Sequence, residues 1–498
     1  MAAPADDLIP VKRPHFERRD GHLFFLASAR PHTRLDAADE HLWEMIDGAA
    51  TVGALRTSIA DAAVRLQRLW DLGVCELVPP RFPEHRRPLL VIEPHMDDAI
   101  LSVGGSMWAR RESCEITLVT MAGLSNYTSY YDLDRDYFNV ARVSALRRAE
   151  SALATRMLGG RHETLDLLEA PLRLHPGDWS LDWYRRHRKL VDAFIMHASP
   201  RREVDAWAAA IEPVLESTDA KEIWLPLGVG GHTDHELARD ACLLALSRRR
   251  GIEQRADIYL YQDVPYATQF PLHTPALVGA LTAAGAVLEP MVEDITATID
   301  DKLRLASVFG SQFKPSYIAP RIEEAARRAG PSASRLGELR FRLRQLPGPV
   351  PALALYSRRA AVEAVAKDLT RWYDRHRSSR RIRVLTPVPV ARWGDDLSAL
   401  LDALPQATFE VHVSEEYADE TESLTSPRLD VRIVRGRQTA WIARLARLVL
   451  SRPAPTILLT GEDLTKWAWL AKLAFVASDP LAATRLNDVV LALSFARS

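Results

Sequence analysis

Leu89-Leu90-Val91-Ile92-Glu93-Pro94-His95-Met96-Asp97-Asp98-Ala99-Ile100-Leu101-Ser102-Val103-Gly104-Gly105 is the stretch whose reading decides the fold class. Its first four residues form an unbroken apolar run, as in a strand buried on both faces of a parallel sheet. Pro94 to Asp98 make a polar loop, and Ile100 to Ala109 continue as a helix whose glycines permit close approach to the strand. Three further strand signals, Ile116 to Met121, Ile223 to Leu225 and Ile258 to Tyr261, follow with helical stretches between them. This alternation predicts an α/β protein with a central Rossmann-like, mostly parallel sheet and helices on both faces. Such sheets bind ligands beyond the carboxyl ends of their strands, and His95 to Asp98 stand at one such end.

After the Ile223 strand, the turn Leu227-Gly228-Val229-Gly230-Gly231 leads into His232-Thr233-Asp234-His235. Thr233 with Glu236 makes a capping-box pattern, and Leu237, Ala241, Leu244 and Ala245 recur at helical spacing, which places His235 in a first helical turn. His232 precedes the cap and approaches from the side. His95, Asp98 and His235 then offer two imidazoles and one carboxylate, a set that holds zinc while leaving a coordination position for water. Iron(II) takes the same donors. Asp97 remains as a second carboxylate, free to act as the base that amide hydrolysis requires. Asp234 is placed to orient a neighbouring imidazole. Taken singly, Asp97 or Asp98 reads as a cap or a solvated loop residue. The second pair of histidines reverses that reading.

The region from about residue 86 to about residue 346 resembles the PIG-L/LmbE family of metal-dependent N-acetylglucosaminide deacetylases. Ile92 to Gly105 match the family's strand, His-Pro-Asp-Asp and Gly-Gly helix, and His232 to His235 match its His-x-Asp-His. Weaker marks are Arg147 and Glu150 before Leu158-Gly159, the segment Tyr261 to Tyr266, and Lys302 with Ser311-Gln312. The resemblance implies zinc on His95, Asp98 and His235, with Asp97 as general base. It also implies that His232 stabilises the oxyanion or protonates the leaving amine, with Asp234 holding its ring. The substrate so implied is a small amino-sugar conjugate. Met96 stands where the family has proline and Ala99 where it has an acidic residue. The turn Gly228 to Gly231 lacks an aromatic that some relatives carry before the second motif.

The rest of the chain frames this region. At 498 residues the length suggests about three domains, and 47% hydrophobic with 26% charged residues is a globular composition. Proline-rich segments at Pro79 to Pro83 and Pro347 to Pro351 divide it into 1–84, 85–346 and 352–498. In the first block a strand at His22 to Ala27 precedes a helix capped by Asp36. A second helix, capped by Thr51, carries Val52, Leu55 and Ile59, and a third carries Val64, Leu69, Trp70 and Leu72, before a strand at Val74 to Val78. His41 to Gly48 through Leu72 to Val74 resemble the PqqD-type winged-helix fold, which implies a peptide or carrier protein as partner. The last block alternates again, predicting a smaller Rossmann-like domain with strands at 382–385, 409–413, 431–434 and 456–459 and helices near 397–404 and 440–450. It carries no glycine-rich phosphate loop, so no nucleotide cofactor is expected.

A net charge of −1 argues against nucleic acid as a partner, and the third helix offers phosphates only Arg65 and Arg68. Cys75, Cys114 and Cys242, odd in number and widely spaced, read as buried small hydrophobes. An acidic Met1 to Pro10 without a long apolar stretch and the lack of a membrane-length apolar run predict a cytoplasmic protein without a membrane span. The leading function is zinc-dependent removal of an N-acetyl group. The alternatives are a carrier-binding protein acting through its first block, and a bifunctional sugar-processing enzyme. His162, His175, His187, His197, His273 and His412 read as ordinary surface or core residues. Arg147 and Glu150, at i,i+3 spacing, read as a surface ion pair rather than a substrate clamp. Between residues 126 and 188, Tyr127, Tyr130, Tyr131, Trp179, Trp183 and Tyr184 suit either a sugar-stacking cleft or an aromatic core. Arg371 to Arg383 read as a solvated basic face.

Overall fold

The computed structural model describes residues 4–128, 140–174 and 201–347, apart from 27, 29, 81, 231, 250, 253–254 and 270–272. Beyond these it describes 381–386, 397, 401, 405, 407–415, 418–419, 421, 426–434 and 456–458. Tyr130, Tyr131, Trp179, Trp183, Tyr184, His175, His187, His197, most of the basic run 371–383 and nearly all of the two C-terminal helices lie outside the described residues.

The N-terminal part contains β1 (Ile9–Lys12), β2 (Phe16–Arg19), β3 (His22–Phe25), β4 (Pro31–Arg34), α1 (Ala37–Met45), α2 (Val52–Arg56), α3 (Ala62–Asp71) and β5 (Cys75–Val78). β2, β3 and β4 form one antiparallel sheet, and β1 pairs antiparallel with β5. Both expected caps are present: Asp36 accepts from Asp39 N at 2.7 Å and Thr51 from Ala54 N at 3.2 Å. The expected face of the third helix is rotated. Val64 is 67% exposed and Leu72 36%, while Ala62, Ala63, Leu66 and Leu69 fill the core, because the helix starts in a different register from that read off the large side chains. Arg65 and Arg68 are committed to Asp36, Asp39 and Asp61.

The central elements are β6 (Arg87–Glu93), α4 (Asp98–Arg110), β7 (Cys114–Thr120), α5 (Val140–Met157), β8 (Arg161–Thr164), α6 (Ala170–Leu174) and α7 (Arg201–Ser217). They continue with β9 (Glu222–Pro226), α8 (Thr233–Arg248), β10 (Asp257–Tyr261), α9 (Tyr266–Gln269), α10 (His273–Ala283), β11 (Val287–Asp294), α11 (Ile299–Ser307), α12 (Pro315–Ala329) and β12 (Gly337–Gln345). Seven strands lie in the order β11-β12-β10-β9-β6-β7-β8. β8, β7, β6, β9 and β10 run parallel, and β12 and β11 close the sheet antiparallel. All four strands read from the sequence are among them. β11 and β12 are additions, although Leu339, Phe341 and Leu343 alternating with Arg340, Arg342 and Arg344 carry the period of a strand.

Successive side chains of β6 serve opposite cores. Leu89 and Val91 pack with α4, α5 and α11, whereas Leu90 and Ile92 pack with α7, α8 and α10. From β6 the chain steps outward through β7 and β8, then returns to place β9 and β10 on the other side of β6. The strand order therefore reverses between β6 and β9, and a crevice opens at their carboxyl ends. Gly104 and Gly105 serve a contact other than the strand approach expected of them. They make room for Lys302 and Leu305 of α11 and for Ile295 and Glu338.

In the C-terminal part, β13 (Arg381–Thr386), β14 (Thr408–Ser414), β15 (Leu429–Val434) and β16 (Thr456–Leu458) form a parallel sheet ordered β15-β14-β13-β16. Cys75, Cys114 and Cys242 are buried and free. Among the described residues, no helix is long and apolar enough to cross a membrane.

Candidate metal centre

Three adjacent strands feed the crevice. The loop after β6 brings His95, Asp97 and Asp98, the turn after β9 brings His232 and His235, and the residues after β10 bring Asp263 and Tyr266. Asp97 precedes α4 with φ 147° and ψ −30°, a conformation that L side chains rarely adopt. α8 begins at Thr233 with His232 as its N-cap, in place of the expected Thr233 box, so His235 stands in the first turn.

His95, Asp98 and His235 converge, each offering one ligand atom within 4.8 Å of the others. Asp98 Oδ2 lies 3.0 Å from His95 Nδ1 and 3.2 Å from His235 Nε2. It also accepts the His95 backbone N–H at 2.9 Å. His235 Nε2 is out of line for hydrogen bonding to that oxygen and, fully buried, has no hydrogen-bond partner among the described residues. A buried nitrogen left without a partner beside a carboxylate and a second imidazole is what a divalent cation needs. The electrostatics fit as well. Burial pulls the pKa of both rings down, but the carboxylates outweigh it, raising His235 to about 9 and His95 well above its ordinary value. The negative charge that retains protons on these nitrogens also attracts a cation competing for them. Asp98, despite its burial, is held well below the usual carboxylate range by His235 and His95.

His232 is brought to the same place, its ring 4.8 Å from that of His95 and 4.9 Å from that of His235, centroid to centroid. Burial and the two neighbouring imidazoles hold its pKa well below 6.5. Its Nδ1 accepts the Asp234 backbone N–H at 3.2 Å, so the neutral ring carries its proton on Nε2. The Asp234 carboxylate does not hold the His232 ring, contrary to expectation. It takes His95 Nε2 at 3.0 Å, Ala170 N at 2.8 Å and Arg173 Nη2 at 2.7 Å, because the first helical turn aims it across the crevice toward the β6 loop.

Asp97 is buried, and its pKa is raised by that burial and by Asp98, against the pull of Arg147. Arg147 Nη2 lies 3.8 Å from Asp97 Oδ2, while Nη1 reaches Ser125 Oγ at 2.8 Å and also Glu169. Arg147 and Glu150 are therefore not a surface ion pair. Both are buried and face different partners, Glu150 accepting from Ser311 N at 2.8 Å and Ser311 Oγ at 2.6 Å. The α5 helix is covered by the N-terminal part and by the 125–128 loop, which no i,i+3 spacing reveals.

Sequence reasoning gave no role to Asp263, Glu169 or Arg173, although Asp263 sits in the quoted segment Tyr261 to Tyr266. Tyr266, after β10, packs against both histidines and against the turn that precedes them. Its ring lies 5.1 Å from that of His235 and 6.0 Å from that of His232, and a Cβ on Gly230 would meet Tyr266 Cβ at 2.6 Å.

No family model matches the chain. It is 26% identical over 246 residues to 2'-N-acetylparomamine deacetylase of Streptomyces fradiae, covering 48% of this chain and 78% of that protein. Two solved structures are similar over about half of the chain. One is the A40926 pseudoaglycone deacetylase, 21% identical, covering 53% of this chain and 100% of that one with a TM-score of 0.37. The other is the zinc-inhibited form of a teicoplanin deacetylase, 20% identical, covering 51% and 97% with a TM-score of 0.36.

Proposed function

We infer from the LmbE-like character of its central half that this protein is an amide hydrolase removing an N-acetyl group from an amino-sugar-containing small molecule, such as an antibiotic intermediate. The observation that carries the reading is the orphaned His235 Nε2 facing Asp98 and His95, with a second carboxylate, Asp97, beside them and engaged by neither ring.

His95, Asp98 and His235 would hold the cation. When bound, zinc or iron(II) supplies Lewis acidity, polarising the amide carbonyl and making water a stronger acid. Asp97, its basicity raised by burial, takes the proton of the attacking water on its carboxylate. Arg147 stands close enough to orient that carboxylate, and the Glu169 charge beside Arg147 limits how far it lowers Asp97's basicity. His232 donates from Nε2–H to the carbonyl oxygen as charge develops there, which favours the transition state over the ground state. The proton that Asp97 takes from the water is then available to the departing amine. Asp234 acts one step away, holding His95 by Nε2 so that Nδ1 faces Asp98.

Acetate release from N-acetylated aminoglycosides and glucosaminides tests this. Asp97→Asn is expected to lower kcat roughly 10²- to 10⁴-fold with metal content unchanged. Undiminished turnover would remove Asp97 as the base.

A further inference from the structure

Asp263 is fully buried just beyond β10, and its two oxygens face different partners. Oδ2 accepts two backbone N–H groups, from Gly228 and Val229, each at 2.8 Å. Oδ1 lies 2.7 Å from His235 Nδ1. The two N–H donors require an acceptor at Oδ2, and an ionised carboxylate is an acceptor at Oδ1 as well. His235 must therefore carry a proton on Nδ1, and Nε2 is the nitrogen whose lone pair can point at Asp98 and His95. That is the nitrogen without a hydrogen-bond partner.

We propose that Asp263 is the positioning residue that fixes His235 in its Nδ1–H tautomer and so makes Nε2 a metal-binding nitrogen, while fastening the ring to the Gly228–Val229 turn. This rests on the reading of the crevice as a metal centre. It has a consequence that ordinary structural support lacks. In Asp263→Asn the amide oxygen stays on the two backbone donors, so the NH₂ group turns toward His235. Nδ1 must then accept, the ring proton moves to Nε2, and the cation meets an N–H in place of a lone pair. Asp263→Ala leaves the two backbone groups unpaired, yet lets the ring adopt either tautomer. A residue needed only for folding orders the two variants the other way, since asparagine keeps the backbone hydrogen bonds and alanine loses them.

The test is zinc affinity of the full-length protein against a competing chelator, for the unaltered chain, Asp263→Asn and Asp263→Ala, with thermal midpoints measured alongside. Removing such a partner of a ligating histidine costs about 10- to 100-fold in affinity. Asp263→Ala is expected in that range, and Asp263→Asn is expected to bind more weakly still while melting at the higher temperature of the two. Asn binding zinc as tightly as the unaltered chain, or more tightly than Ala, overturns the proposal. If Ala does not fold, Asn against the unaltered chain decides alone. Acetate release by the unaltered protein is read separately. Deacetylation with an unimpaired Asp263→Asn sinks only the tautomer argument, and tight zinc binding without deacetylation sinks only the assigned reaction.

Discussion

Thr120 Oγ1 donates to Glu93 Oε1 at 2.6 Å, so it can only accept from His162 Nε2, 2.9 Å away. Burial, with Arg148 nearby, lowers the His162 pKa from 6.5 to about 4. The unfolded chain thus takes up a proton between those values that the folded protein refuses. The stability from this group is complete above pH 6.5 and is lost as the pH falls toward 4, up to about 3 kcal/mol. His162→Gln is therefore expected to flatten the acid limb of a pH series of urea midpoints, and an unchanged slope would contradict this. His162 read as an ordinary histidine from sequence, whereas His95, Asp97, Asp98, His232 and His235 were legible because each lies in a short motif at a strand end. Asp263 and the Arg147–Glu169 pair were not, since their partners lie 28 and 22 residues away along the chain and only folding joins them.

At the scale of elements, the strand-to-helix passage after β6 runs through an unfavourable backbone conformation. Asp97, at φ 147°, costs a non-glycine residue about 1–3 kcal/mol there, while its backbone carbonyl accepts from Leu101 N at 3.0 Å in the first turn of α4. Asp97→Gly is expected to raise the thermal midpoint while abolishing acetate release, the pattern of strain kept for chemistry. A lowered midpoint would show that the side chain supports the fold instead. Apolar runs made β6, β7, β9 and β10 legible, since buried parallel strands have little else in them. The strand order was not, because the step that carries β9 back beside β6 is a tertiary event, and it is this reversal that brings the two histidine motifs together.

At the scale of the whole molecule, the N-terminal part is fastened to the central one. Glu76, fully buried, takes both Arg13 and Arg304 of α11, and Arg13 also reaches the Ser307 carbonyl at 2.9 Å. His15 Nδ1 meets Glu150 at 3.2 Å. Glu76→Ala leaves two guanidinium groups without their carboxylate in the joint, and a loss of about 3–5 kcal/mol in a single shared unfolding transition is expected by calorimetry. Two separate transitions, with only the smaller one moved, would show the parts to be independent. The proline-rich boundary at Pro79 to Pro83 was legible as punctuation, but nothing in composition announced the ion cluster across it. The central claim is that His95, Asp98 and His235 hold one catalytic cation. Metal content of the purified protein, measured for the unaltered chain, Asp97→Asn and His235→Ala, tests this most directly. About one equivalent in the first two and none in the third is expected. Metal retained by His235→Ala, or lost with Asp97→Asn alone, would contradict it.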